Sequence, residues 1–332
     1  MTPADLSRTV LHAVRRAVDE DALRAPVPAR VRVERTRPGG CGDYACAVAL
    51  QLAGPAALPA REVAEILRER VQGAPGISGV EVTGPGFLNF TLGGPDPVDA
   101  LVRAVGAGGT EYGHGDALAG VTAFFAPVGE LRARVVTETV ERLLRAQGAE
   151  VGDRAAGGEA LHVVPVPAVD RDLFERLGTD AARWALLRAA PHDRARGAGD
   201  GELLVQREGN PLFLVRYAYA RTRALSRNAE QLGFGAAYEE SVEAPVLGAL
   251  LADHPGVLAA AARHREPDRV ARQLEAVAQA FFDFHDGAPP PLPVGDEKPS
   301  AAHRSRLALA EAAGTVLAGG LSLLGISAPE VL

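Results

Sequence analysis

Three arginines, Arg216, Arg223 and Arg227, stand seven and four residues apart in a segment of helical periodicity, which places them on one face. Tyr219 falls between them, three residues after Arg216 and four before Arg223, and Tyr217 with Arg221 forms a second i, i+4 pair. Guanidinium planes grip phosphate in bidentate fashion and stack on bases, and phenol rings stack as well, so this set suits an unstacked loop of RNA. The same spacing fits a helix with one solvated face and a core side made of Leu212, Val215 and the tyrosines. Spacing alone leaves both readings open, with Arg221 a candidate for a structural role. Elsewhere Cys41 and Cys46 form a C-x4-C pair with no histidine or further cysteine nearby. A tetrahedral zinc site wants about four ligands, so they read as free thiols and no metal is expected. Tyr112, His114 and Asp116 are the one polar cluster of the middle segment that could line a small-molecule pocket.

These residues need elements to hold them. Thr2 can cap a first helix of about five turns, with Pro3 and Asp5 in its first turn and Leu6, Val10, Val14 and Val18 along one face. VRVER (31–35) alternates as a strand, DYACAVALQLA (43–53) and PAREVAEILRERV (59–71) read as helices, and GVEV and FLNFTL read as two strands around Gly84-Pro85-Gly86. Residues 1–93 are therefore expected to form a small α+β domain. Between 94 and 167 the strand VTAFFA, a helix over 129–147 and a strand LHVVPV make one βαβ unit, far short of a doubly wound sheet. From 168 to 332 everything reads as helix: segments at AVDRDLFERLG and TDAARWALLRA, a long run over 202–228, separate helices at PVLGALLAD and PGVLAAAARH, a run over 268–285 and a last one over 303–324. Trp184 and the run Phe281, Phe282, Phe284 with His285 belong to packing in this bundle, with one of those residues exposed. The Pro-rich stretch 287–300 should be an extended loop.

The chain has 332 residues, 47% apolar and 23% charged, which suits about two compact domains and excludes a disordered chain. Its net charge of −7 argues against a general polyanion binder while leaving room for a local basic face. The part after Ala168 carries 22 acidic against 18 cationic residues, which keeps open a protein-docking bundle without RNA contact. No uninterrupted apolar run is long enough for a membrane span, two cysteines are too few for a disulfide scaffold, and the N-terminus has no leader pattern, so a cytoplasmic protein is expected. Of its 35 cationic residues only Lys298 is a lysine.

Several separated segments resemble the arginyl-tRNA synthetase family, in the family's own order. GDYACAVALQLA (42–53) and GPGFLNFTL (84–92) look like its N-terminal additional domain. GTDAARWALLRAAP (178–191) is similar to the segment that follows the catalytic core. NPLFLVRYAYARTRALSRNA (210–229) resembles the helix that opens the anticodon-binding bundle, and the ending LSLLGISAPEVL is similar to the family's last helix and tail. The resemblance implies an α+β N-terminal domain, a shortened βαβ middle that is a Rossmann remnant, and an all-α helical bundle of the anticodon-binding (DALR) type. It also implies that Phe87 and Asn89 lie on the strand that approaches the tRNA D-loop, where an exposed ring beside an amide could stack on and hydrogen-bond one flipped base. Asp43 and Tyr44 are expected to hold a turn and helix start. Val331 and Leu332 replace the basic residue and methionine that usually close the family's tail, which weakens the case for inherited anticodon-base discrimination.

Class I synthetases use an H-x-G-H loop and a lysine-bearing K-M-S-K-S loop to stabilise the triphosphate and the leaving pyrophosphate. None of the eight histidines stands in an H-x-G-H, and where the resemblance puts that loop the chain reads Ala126-Pro127-Val128-Gly129-Glu130-Leu131-Arg132. Lys298 lies in the Pro-rich loop, far past the second catalytic position. The expectation is a catalytically inactive paralogue with no cofactor that binds tRNA, of the arginine-accepting kind, through Phe87, Asn89, Arg216, Tyr219, Arg223 and Arg227, and delivers or sequesters it. The enzymatic rival supports aminoacylation or arginyl transfer together with a protein partner such as a full-length synthetase.

Overall fold

The computed structural model describes all residues except 1, 37–40, 94–95, 154–156, 168–171, 196–200 and 208. It divides into two compact units, Met1–Leu101 and Val102–Leu332.

In the first unit, helix α1 (Pro3–Asp19) opens with a capping box: the Thr2 hydroxyl accepts from the Asp5 amide at 3.2 Å and the Asp5 carboxylate accepts from the Thr2 amide at 3.0 Å. Leu6, Val10, Ala13, Val14 and Ala17 form its buried stripe, which packs against α3 (Ala60–Val71) through Val63, Ala64, Leu67 and Val71. Helix α2 is Val48–Ala56. An antiparallel sheet lies with these helices, its strands β1 (Val33–Arg35), β2 (Tyr44–Cys46), β3 (Ile77–Thr83) and β4 (Phe87–Leu92) in the order β1-β2-β4-β3. Tyr44 and Val80 both stand opposite Phe90, whose ring is fully buried at the centre of the core. The turn into β4 needs glycine: Gly86 has φ +137°, and a Cβ there would sit 2.7 Å from the Ala60 carbonyl oxygen. One expectation is corrected here. Residues 44–46 extend as β2 instead of beginning a helix, because pairing on both sides, to β1 and β4, satisfies their backbone and buries Tyr44 and Cys46 on alternate positions.

Helix α4 (Pro97–Gly108) leads into the second unit. There β5 (Thr122–Ala123) pairs in parallel with β6 (Glu150–Val151) across helix α5 (Leu131–Ala146), the βαβ unit in its smallest form. The second strand is thus β6 and not Leu161–Val166, whose backbone is held by single partners: the Val164 amide donates to Pro191 O at 2.8 Å and the Val166 amide to the Glu130 carboxylate at 3.0 Å. The remainder is helical: α6 (Leu173–Arg188), α7 (Pro211–Gln231), α8 (Pro245–His264), α9 (Asp268–Asp286) and α10 (Ala301–Leu324). Helix α10 is apolar and long enough to cross a membrane but is mostly buried, packed against α7 and α9 as the central core helix. Gly178 at φ 73°, ψ 172° breaks α6 where the sequence divides into two segments.

Two helix boundaries also differ from expectation. The run from 202 does not extend to 228: Asn210 starts α7, its Oδ1 accepting from the Leu212 and Phe213 amides at 3.0 and 3.2 Å while its Nδ2 donates to Leu203 O and Val205 O at 2.8 and 2.9 Å. An N-cap followed by Pro211 at the first helical position ends whatever precedes it. Conversely, Pro255 does not divide α8. Proline leaves the carbonyl four residues back without its helical donor, and the Tyr112 hydroxyl donates to that group, Leu251 O, at 3.3 Å.

Candidate nucleic-acid interface

The arginines of α7 share a face as their spacing requires. Arg223 and Arg227 have side chains 41% exposed, while Arg216 is half-buried beside the break in α6. Tyr219 is half-buried within the same stripe. The segment after α10 lies on this stripe, a contact that no local pattern signals. The Glu330 carboxylate accepts from Arg223 Nε at 3.2 Å and stands 3.7 Å from an Arg227 terminal nitrogen, and Arg227 also donates to Glu330 O at 3.4 Å. Nearer the tail's root, Asp180 of α6 accepts from the Ser327 amide at 3.1 Å and from its hydroxyl, and Arg216 reaches both, Asp180 at 3.7 Å and the Ser327 hydroxyl at 3.4 Å. The root itself is fixed. Arg142 donates to Leu323 O at 2.8 Å and Arg183 to Leu324 O at 2.9 Å, supplying the last carbonyls of α10 with donors before Gly325 turns left-handed.

On the neighbouring face of α7 the rings of Phe213, Tyr217 and Phe282 stack in a ladder, with centroids 5.4 and 5.3 Å apart, and Tyr217 is 40% exposed. Phe281 and Phe284 are buried in the bundle while Phe282 and His285 are half-buried, so no residue of this run is exposed, because Tyr217 of α7 stacks over Phe282. Beside the ladder Arg221 Nε donates to His285 Nε2 at 3.2 Å, and His285 Nδ1 lies 2.7 Å from the Asp286 carboxylate. Aromatic faces next to guanidinium groups form a stacking platform for unpaired bases. The i, i+4 pair Phe213 and Tyr217 was visible in the sequence; its continuation onto Phe282 depends on how α9 packs. A cleft of about 280 Å³, close to the lower end of ligand-pocket size, opens between the α6 break, Leu203–Gln206 and the start of α7, with Asp180, Asn210, Arg216 and Leu332 on its walls.

In the first unit Phe87 is exposed at 37% and Phe90 is fully buried, the division expected for residues three apart on a strand. Asn89 does not join Phe87 at the surface: it is 6% exposed and its Nδ2 donates to the Thr83 hydroxyl at 2.5 Å, a cross-strand contact that places the amide in the sheet. Asp43 accepts from the Leu92 amide at 2.8 Å and so has a structural role, as anticipated. Cys41 is exposed; Cys46 is buried, and burial pushes its thiol up to about 11.

The start of α5, which follows β5 in the βαβ unit, is where such a fold presents free amides to phosphate. Here Glu130 is the N-cap, its carboxylate accepting from the Ala133 amide at 2.6 Å and from Val166. Two residues on, Arg132 is fully buried and donates to five carbonyls, those of Leu186, Val164, Asp193, Ala189 and Ala190, at 2.6 to 3.0 Å. Burial holds its guanidinium below the usual arginine range, with the charges of Glu130, Asp193 and Asp268 opposing that shift. Of the cluster nominated in this segment, Tyr112 is buried and stacked at 6.1 Å on the ring of His254, while His114 and Asp116 are exposed. His254 is 1% exposed, with Nδ1 2.8 Å from Gln273 Oε1, and desolvation lowers its pKa to about 4.

The first unit is thus a small α+β fold, and the second combines a minimal βαβ with a helical bundle that carries a cationic and aromatic surface. Comparison with known proteins narrows this. Residues 5–92 match the arginyl tRNA synthetase N terminal domain and residues 215–332 the DALR anticodon binding domain, and the two matches flank the βαβ segment. The chain belongs to the arginyl-tRNA synthetase family. It is 27% identical to an arginine–tRNA ligase of Frankia alni, covering 99% of this chain and 100% of that protein, and 27% identical to the one from Renibacterium salmoninarum over the same shares. The first alignment runs over 553 positions against 332 residues here, so interior stretches of the relative stand opposite gaps in this chain. The fold is that of the Thermus thermophilus arginyl-tRNA synthetase (TM-score 0.69, 14% identity, all of both chains) and of the Plasmodium falciparum one (TM-score 0.64, 9% identity, 99% of both).

Proposed function

We propose that this chain is a tRNA-binding member of the family that activates no amino acid, and that it delivers or sequesters an arginine-accepting tRNA in the cytoplasm. In this reading it has three parts: an N-terminal domain over 1–93, a degenerate core over 94–167 and an anticodon-binding bundle over 168–332. The observation that carries it is the contrast on α7 and α5. Arg216, Arg223, Arg227 and Tyr219 share a partly exposed stripe, next to the Phe213–Tyr217–Phe282 ladder, on the domain matched as anticodon binding. At the start of α5, where the family's nucleotide-binding loop would stand, Glu130 brings a carboxylate to amides that a triphosphate would need, and like charge repels that ligand. The sequence adds no H-x-G-H and no lysine except Lys298. Phe87, exposed in the first unit, would supply a second stacking contact, with Asn89 in a supporting role through Thr83.

Two measurements test this. Filter-binding titration at physiological salt should show a preference for tRNA over unstructured RNA; equal affinity for both would overturn the binding reading. ATP–pyrophosphate exchange should be absent, and a full-length synthetase added to the assay should keep its own rate. Exchange by the chain alone would overturn inactivity, and a changed partner rate would favour an accessory role in aminoacylation.

A further inference from the structure

The same stripe carries an anion already. One carboxylate, that of Glu330, lies against two guanidinium groups, Arg223 at 3.2 Å and Arg227 at 3.7 Å, an arrangement that equally suits the oxygens of a phosphate. The residue belongs to a tail that leaves the bundle after Ile326, which is buried at 4%, and continues without regular structure to Leu332. Beyond Pro329 the side chains are largely in solvent: Glu330 is 54% exposed and Val331 73%. The tail is thus held by a fixed root at Leu323 and Leu324, a polar clasp of Ser327 on Asp180, and the Glu330 contacts at its tip.

We propose that residues 327–332 form a strap whose Glu330 occupies a phosphate subsite built by Arg223 and Arg227, and that a phosphodiester of bound RNA displaces it. The inference rests on the tRNA-binding reading above and adds a competition to it. Exposed ion pairs contribute little to stability, so a polyanion that brings several phosphates at once outcompetes a single tethered carboxylate. The tether still matters: Glu330 is present at high effective concentration, which raises the affinity threshold for short or weakly charged ligands. Because the strap is held by screened surface charges, its hold weakens as salt rises. It therefore acts as a selectivity filter, strongest at low ionic strength and against isolated anions.

The test uses the full chain in three forms: wild type, Glu330→Gln, and Asp296→Asn, which makes the same change in net charge on an exposed acid of the Pro-rich loop. Each is titrated with tRNA and, separately, with inorganic tripolyphosphate, at low and high salt. Glu330→Gln should bind tRNA about two- to tenfold more tightly than wild type at about 50 mM salt, with the ratio falling towards one at about 300 mM. Asp296→Asn should match wild type. Equal affinities for Glu330→Gln and Asp296→Asn at low salt would overturn the strap while leaving tRNA binding intact. If no form binds tRNA, the tRNA reading fails, and tripolyphosphate decides the strap separately: tighter binding by Glu330→Gln sustains it, and no difference removes it.

Discussion

Arg132 and the pair Arg223 and Arg227 are the same residue type in opposite circumstances. Arg132 is fully buried and its hydrogen-bonding capacity is engaged by five backbone carbonyls that tie the end of α6 and the segments around Val164 and Asp193 to the start of α5. Arg223 and Arg227 are exposed at 41% and share a single carboxylate, that of Glu330, in the irregular segment after α10. Guanidinium groups are available to a ligand only where their donors are unsatisfied or held by a displaceable partner. Counting arginines therefore says little about an interface, and the net charge of −7 says less. The two helix starts differ as well: α5 is closed by Glu130 and Arg132, whereas α7 is capped by neutral Asn210 and keeps Arg223 and Arg227 exposed.

The largest effect is expected at the buried end. Arg132→Met leaves five carbonyls without their donor in a desolvated site and should lower unfolding free energy by about 3–5 kcal/mol, read by denaturant melts; a loss under about 1 kcal/mol would mean the site is wetter than its burial implies. His254 offers a second inward-facing test. Its native pKa of about 4 lies below the unfolded value near 6.5, so the neutral ring stabilises fully above pH 6.5. That stability is lost as pH falls from about 6.5 towards 4, on the order of 3 kcal/mol in all, and His254→Gln should flatten the curve over that window. At the exposed end, replacing Arg216, Arg223 and Arg227 together by alanine should weaken tRNA binding about 10- to 100-fold and reduce the salt slope, with a melting change of about 1 kcal/mol or less. Unaltered affinity would favour a protein-docking bundle instead. Smallest is Phe87→Ala, expected to weaken tRNA binding about fivefold through one lost stacking contact, while Thr83→Val, which removes the Asn89 partner, should act on stability first.

Much of this was legible in residue types and spacing. The capped amphipathic α1, the Phe87/Phe90 division and the one-turn-per-four rhythm of the α7 stripe follow from local periodicity, as do the first strand and helix of the βαβ unit, though not its second strand. Other parts were not. Residues 44–46 look helical until β1 and β4 flank them, and Pro255 looks like a break until Tyr112 supplies the donor its helix lacks. Asn89 looks like a base reader until Thr83 takes its amide hydrogen. In each case the deciding partner is remote in sequence or, for Asn89, only six residues away but set by the register of a hairpin, which periodicity does not fix.

Periodicity and residue identity are local properties of the chain, and they already carried which residues share a face, which segments resemble the arginyl-tRNA synthetase family, and that no H-x-G-H stands among the residues. Which of those groups remain available depends on packing between distant parts of the chain. Glu330 reaches Arg223 across 107 positions and Arg132 gathers carbonyls up to 61 positions away, and such pairings exist only once burial, backbone satisfaction and charge have been settled together in three dimensions.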